Sequence, residues 1–138
     1  MQVKKVLDYN KIIKAIIDNE KDIDALVKFR LLGMCKQFEP IVANFETVRD
    51  EKIMQYGTIT EDGNTGIIPP NRENFDNDED FEKAQKEFEE TVAKFTDDLD
   101  KVLDSEIQIE IKKFKPEDIM DAGLPADYLL AIYDLIEE

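Results

Sequence analysis

Residues 22–56 read DIDALVKFRLLGMCKQFEPIVANFETVRDEKIMQY, and this stretch decides the fold. Val27, Leu31, Met34, Phe38, Ile41, Phe45 and Val48 follow one another at spacings of 4, 3, 4, 3, 4 and 3. That seven-residue repeat places every one of them on a single helix stripe, the pattern of a helix packed lengthwise on another. A second stripe lies downstream in Phe88, Val92, Phe95, Leu99 and Val102, spaced 4, 3, 4 and 3. Two such stripes joined by a connector rich in turn residues predict a long antiparallel helical hairpin.

Working outward, Pro40 falls inside the first long helix. Its ring denies the carbonyl of Lys36 a hydrogen-bond donor and predicts a bend, although the heptad phase continues across it. Upstream, residues 1–7 lean towards a short edge strand, and Asp8 is placed to cap a helix carrying Tyr9, Ile12, Ile13, Ile16 and Ile17. Polar residues 19–22 separate that helix from the long one. Downstream, residues 57–70 contain strand-like Thr58-Ile59-Thr60 and Ile67-Ile68 around the turn residues Asp62-Gly63-Asn64, which predicts a small β-hairpin. Residues 71–80 read as an acidic loop.

After the second helix, residues 106–113 alternate with Ile107, Ile109 and Ile111 on one face, as a half-buried strand does. This strand is a candidate to pair with the N-terminal one. Pro116-Glu117-Asp118 opens a short helix that stops at Gly123, and Pro125 opens a last one. The expectation is a mainly α (α+β) single domain over 1–138. Its long helices span 22–56 and 79–103, with a connector at 57–78 and a strand plus helical tail at 105–138.

The 138 residues carry a net charge of −15. Residues 1–56 hold 10 Lys+Arg against 9 Asp+Glu, and residues 57–138 hold 8 against 24. Affinity for phosphate backbones comes from Lys and Arg, so this balance argues against direct binding to nucleic acid or an anionic membrane. It favours a basic protein surface. Cys35 is the only cysteine, so no intrachain disulfide can form, and its place beside the stripe predicts a buried thiol. No stretch approaches the roughly 20 apolar residues of a membrane span. The chain reads as cytosolic, or as part of something assembled in a cytosol.

The chain contains no histidine, which removes His-based nucleophile activation and histidine-ligated metal sites. Asp76, Asp78, Asp80 and Glu87 occupy positions 1, 3, 5 and 12 of a calcium loop, but Phe81 stands where that loop needs glycine. The acidic run therefore reads as charge that complements a helix N-terminus. Glu110-Ile111-Lys112 has the Glu-x-Lys form of a magnesium-dependent nuclease strand, without an acidic residue on a neighbouring strand. The sequence predicts no catalytic residue, no cofactor and no metal ligand. The acidic face of residues 78–104 is a solvated helix surface or, alternatively, a charge mimic of DNA. The tail concentrates Tyr128, Leu129, Leu130, Ile132, Tyr133, Leu135 and Ile136, more than one stripe can hide. Tyr128, Leu129, Ile132, Tyr133 and Ile136 are accordingly core residues or a face for a partner or a second copy.

Met1-Gln-Val-Lys4, Tyr56-Gly57, Glu61-Asp62-Gly63, residues 106–111 and Glu117-Asp118-Ile119 follow an order that resembles a family of small, acidic, uncharacterised bacteriophage proteins. The resemblance covers most of the chain, with Pro69-Pro70 and residues 71–80 outside it. It implies a phage origin and a non-enzymatic role through protein–protein contact, as a structural or assembly component of the head–tail or tail region. The alternative is an acidic inhibitor of a host DNA-binding or defence protein. Either would bind other proteins, phage structural components or a basic host protein.

Overall fold

A computed structural model describes residues 1–59 and 62–138, with the backbone alone at Ile59. The strand assignment of Thr60 and the matched Glu61 lie outside the described residues. The fold is mainly α with a small β element. In order it contains α1 (Val3–Asn19), α2 (Ala25–Tyr56), β1 (Thr58–Ile59), β2 (Thr65–Gly66), α3 (Asp78–Leu103), α4 (Pro116–Met120) and α5 (Ala126–Ala131). Single 3-10 turns occupy Arg72–Asn74 and Tyr133–Leu135. The chain divides into two compact units, Met1–Ala43 with Asp104–Glu138, and Asn44–Leu103.

The first unit has a sealed core. Val3, Val6, Tyr9, Ile13 and Ile16 recur every three or four residues along α1 and are buried together. The stripe begins at Val3, so the residues expected to form an edge strand are helical instead. Burial of Val3 and Val6 on the helix stripe outweighs the weak β preference of valine. Only Gln2 keeps a bridge, antiparallel to Glu106. Asp8 therefore lies inside the helix rather than at its cap.

α2 starts at Ala25, three residues later than expected, because the Asp24 carboxylate accepts from the N–H groups of Leu26 (3.1 Å) and Val27 (3.2 Å). It runs through Pro40 without interruption. Val27, Leu31, Met34 and Phe38 join α1, and Phe114, Ile119, Leu124, Ile132 and Leu135 of the C-terminal segment close the same core. Arg30 stacks over the Phe114 ring at 4.6 Å.

Residues 107–113 keep the predicted alternation, with Ile107, Ile109 and Ile111 half-buried and Gln108 and Glu110 exposed. They form no strand ladder. The residues that would have paired with them are in α1, so only the end bridges Gln2–Glu106 and Phe114–Ile136 remain.

The second unit contains residues 44–56 of α2, the β-hairpin and α3. β1 pairs antiparallel with β2, Thr58 opposite Gly66 and Ile59 opposite Thr65. The second strand is Thr65–Gly66 rather than Ile67-Ile68. Gly63 turns the hairpin at φ +84°, a conformation that side chains rarely adopt. Gly57 is required by space: a Cβ there would meet the carbonyl oxygens of Ile53 at 2.5 Å and Gly66 at 2.9 Å.

α3 meets α2 at Asp98. Lys52 reaches Asp98 at 3.5 Å, and the Tyr56 hydroxyl donates to the same carboxylate at 2.7 Å. The hairpin and its following loop line a 230 Å³ cavity with Tyr56 and with Ala84, Phe88 and Thr91 of α3. The chain after Tyr56 thus runs towards the start of α3, in antiparallel sense. Phe75 packs edge-on against Phe81, ring centres 5.7 Å apart. Every described residue of this unit is at least partly exposed, including Phe45, Val48, Phe88, Val92, Phe95, Leu99 and Val102.

Candidate interaction surfaces

The tail residues singled out above separate by burial. Ile132 is fully buried in the core, as is its neighbour Leu135. Tyr128, Leu129 and Ile136 are half-buried and pack against that core. The Tyr128 hydroxyl accepts from Asn19 Nδ2 at 3.3 Å, and Ile136 bridges Phe114. Tyr133 stands 65% exposed, and Leu130, one helical turn earlier, 73% exposed. The outward apolar pair is therefore Leu130 and Tyr133.

A larger outward group lies on α2. Leu26, Phe29 and Leu32 are exposed, Phe29 by 73%, on the flank opposite the buried Val27, Leu31, Met34 and Phe38. The heptad hid this group from the sequence. Once the buried stripe is assigned, apolar residues at 26, 29 and 32 fall off it at spacings of 3, and that mismatch is the signal that exposes them.

The acidic surface is carried by α3, where Glu79, Glu82, Glu87, Glu90, Asp97 and Asp100 are exposed. Asp98 is held inward by Tyr56 and Lys52, and these partners keep its carboxyl below the usual range. The residues at calcium-loop positions serve the helix start. Arg72 clamps the Asp78 carboxylate at 2.7 and 3.0 Å, and the Asn77 side-chain oxygen accepts from the Asp80 N–H at 2.8 Å. Phe81 is helical, and Glu87 lies more than two turns along α3. Among the described residues no three acidic or cysteine side chains converge as a metal cage.

In the first unit the Tyr9 hydroxyl donates to Asp134 at 3.0 Å, and Lys5 approaches the same carboxylate at 3.4 Å. Burial, then the bond to Asp134, pushes the Tyr9 hydroxyl up to about 12. Cys35 is buried, and burial pushes its thiol up, away from the reactive thiolate form. Glu110 and Lys112 are exposed, with the Glu110 carbonyl accepting from Gln37 Nε2. No helix of the described residues is long and apolar enough to cross a membrane. Comparison with protein families, curated proteins and solved structures returns no match.

Proposed function

We propose that the protein works without catalysis, by protein–protein contact, as a bacteriophage structural or assembly component of the head–tail or tail region. The observation that supports this reading is the exposed apolar flank of α2, Leu26, Phe29 and Leu32, with Leu130 and Tyr133 as a second outward pair. Large apolar side chains on a folded surface, away from the core that the same helix serves, are the usual mark of a contact surface. The phage assignment rests on the sequence resemblance alone.

A second reading is favoured by the exposed carboxylates of α3, which suit a basic host protein that otherwise binds DNA. Salt separates the two. Apolar contact persists at high ionic strength, whereas contact through the carboxylates weakens steeply. Mass spectrometry of purified virions, followed by salt-dependent capture of the associated protein, is the test. The assembly reading expects virion association, a salt-stable complex, and its loss in Phe29→Ser. The inhibitor reading expects a salt-labile host complex lost when Glu87, Glu90, Asp97 and Asp100 become amides. Asp98 is left intact there because it holds Tyr56.

A further inference from the structure

The 230 Å³ cavity beside the hairpin lies wholly within the second unit. Ala84, Glu87, Phe88 and Thr91 stand at i, i+3, i+4 and i+7 of α3, so a single helix face forms one wall. Tyr56, Ile67, Ile68 and Pro70 contribute to the rest. Among the described lining residues are three hydroxyls, and two have committed their protons. Tyr56 donates to Asp98 at 2.7 Å, and Thr91 donates to the Glu87 carbonyl at 2.9 Å. Their oxygens are left as acceptors, and the third hydroxyl belongs to Thr58. Glu87 adds an ionised carboxylate, which only accepts. That carboxylate forms no ion pair or hydrogen bond with a described residue, and no described lysine or arginine lines the cavity.

A wall of acceptors calls for a donor that carries positive charge. Residues 44–103 hold 7 Lys+Arg against 17 Asp+Glu, a net of −10, and that field draws a cation towards the cavity. An apolar occupant would cover the Glu87 carboxylate without a partner, which is costly. An anion would meet the same carboxylate with like charge. Size then separates a free cation from a tethered one. At 230 Å³ the cavity falls below the roughly 300–1,000 Å³ of small-molecule pockets. It suits one side chain, held there by the protein that carries it.

Arginine meets these conditions better than lysine. Its head is donor-only and weakly hydrated, and its planar guanidinium stacks on rings such as Tyr56 and Phe88. Its methylene stem can lie along Ile68 and Pro70 while the head stays with the carboxylate. Tyr56 already receives one cation, Lys52 Nζ at 5.9 Å from the ring centre, and Lys52 is outside the cavity lining. We infer that the cavity takes an arginine side chain of a basic protein partner, with Glu87 as its carboxylate. This rests on the reading of α3 as a contact for a basic host protein, and names the side chain that the contact receives.

The probe is N-acetyl-arginine amide, titrated into the full chain at low salt and followed by NMR, with circular dichroism to check folding. Saturable shifts centred on Tyr56, Ala84, Phe88 and Thr91 are expected, with a Kd of about 1 mM. The neutral citrulline analogue should bind about fivefold more weakly, and Glu87→Gln should weaken the arginine probe by about the same factor. Glu82→Gln, on the far side of α3, should change it by less than about twofold. The lysine analogue should bind more weakly than arginine by about twofold or more. Shifts that fail to saturate, or that lie elsewhere, overturn the inference. So does citrulline or lysine bound as tightly as arginine, or a Glu87→Gln effect no larger than that of Glu82→Gln. The titration needs no partner, so the two readings fail separately. Saturable shifts at the cavity support the inference even where no host complex is captured, and their absence overturns it even where one is.

Discussion

One helix, α2, supplies apolar residues in the same heptad phase to both compact units, and the two halves of that stripe meet different fates. In residues 25–43, Val27, Leu31 and Phe38 are sealed to 2% exposure or less. In residues 44–56, Phe45 and Val48 remain half-exposed, as do their counterparts Phe88, Phe95 and Leu99 on α3. The residue types and spacing do not differ, so the difference lies in the number of layers. The first half is enclosed by α1 and by Phe114, Ile119, Leu124, Ile132 and Leu135 from the C-terminal segment. The second half has α3 and a two-stranded hairpin, and two helices cover each other along one stripe only. A heptad thus fixes which residues face inward, while burial depends on how many elements arrive to cover them.

The largest expected effect tests that contrast directly. Phe38→Ala should lower the unfolding free energy by about 3–5 kcal/mol, since it empties a fully enclosed site. Phe95→Ala, from a half-exposed site whose surroundings can close, should cost about 1–2 kcal/mol. Urea unfolding followed by circular dichroism measures both, and equal losses would break the comparison. Hydrogen exchange sharpens it further. Amides of α2 around Leu31 should exchange more slowly than those around Val48, because local opening near Val48 exposes less apolar surface.

The first unit's core has one flaw that makes a smaller test. Asn10 is 6% exposed, and its amide oxygen has no partner among the described residues. Asn10→Leu keeps the branched heavy-atom shape and removes an unmatched polar atom, so stability should rise by about 1 kcal/mol. A loss on thermal unfolding would mean that a buried water satisfies the amide.

How much of this was legible in the sequence follows from the same layering. Both long helices, the Gly63 hairpin turn and the Pro116 and Pro125 helix starts were readable, because caps, turns and periodicity are local. The α1 start was misplaced because Val3 and Val6 suit a strand as well as a helix stripe, and only the core they enter decides. The alternation of Ile107, Ile109 and Ile111 marked a segment buried on one side, although the strand it predicted does not form. Whether a neighbour pairs with it is non-local, and α1 had taken the expected partner. The α2 flank at Leu26, Phe29 and Leu32 was obscured for a related reason: a helix apolar on two sides discloses its outward side only once the inward one is covered.

The smallest effect concerns a Tyr–Asp hydrogen bond that each unit possesses. Tyr9 donates to Asp134 in the first and Tyr56 to Asp98 in the second. Both hydroxyls are raised, but the leading causes differ: burial for Tyr9, the hydrogen bond itself for Tyr56. A tyrosine whose folded value is raised binds its proton more tightly folded than unfolded. Its contribution is therefore whole below the unfolded value of 10.0 and is lost as pH climbs towards about 12 for Tyr9. The aspartates carry the opposite sign. Asp134 and Asp98 are both lowered from 3.8, so their contributions are present above that value and fade as pH falls below it. Absorbance titration of the phenolates, with Tyr9→Phe and Tyr56→Phe to assign them, reads the upper limb. If burial sets the first unit apart, Asp134→Asn should leave Tyr9 still titrating well above 10, while Asp98→Asn should return Tyr56 most of the way to its ordinary value. Equal relaxation of the two hydroxyls would show that the hydrogen bond, and not the sealed core, governs both.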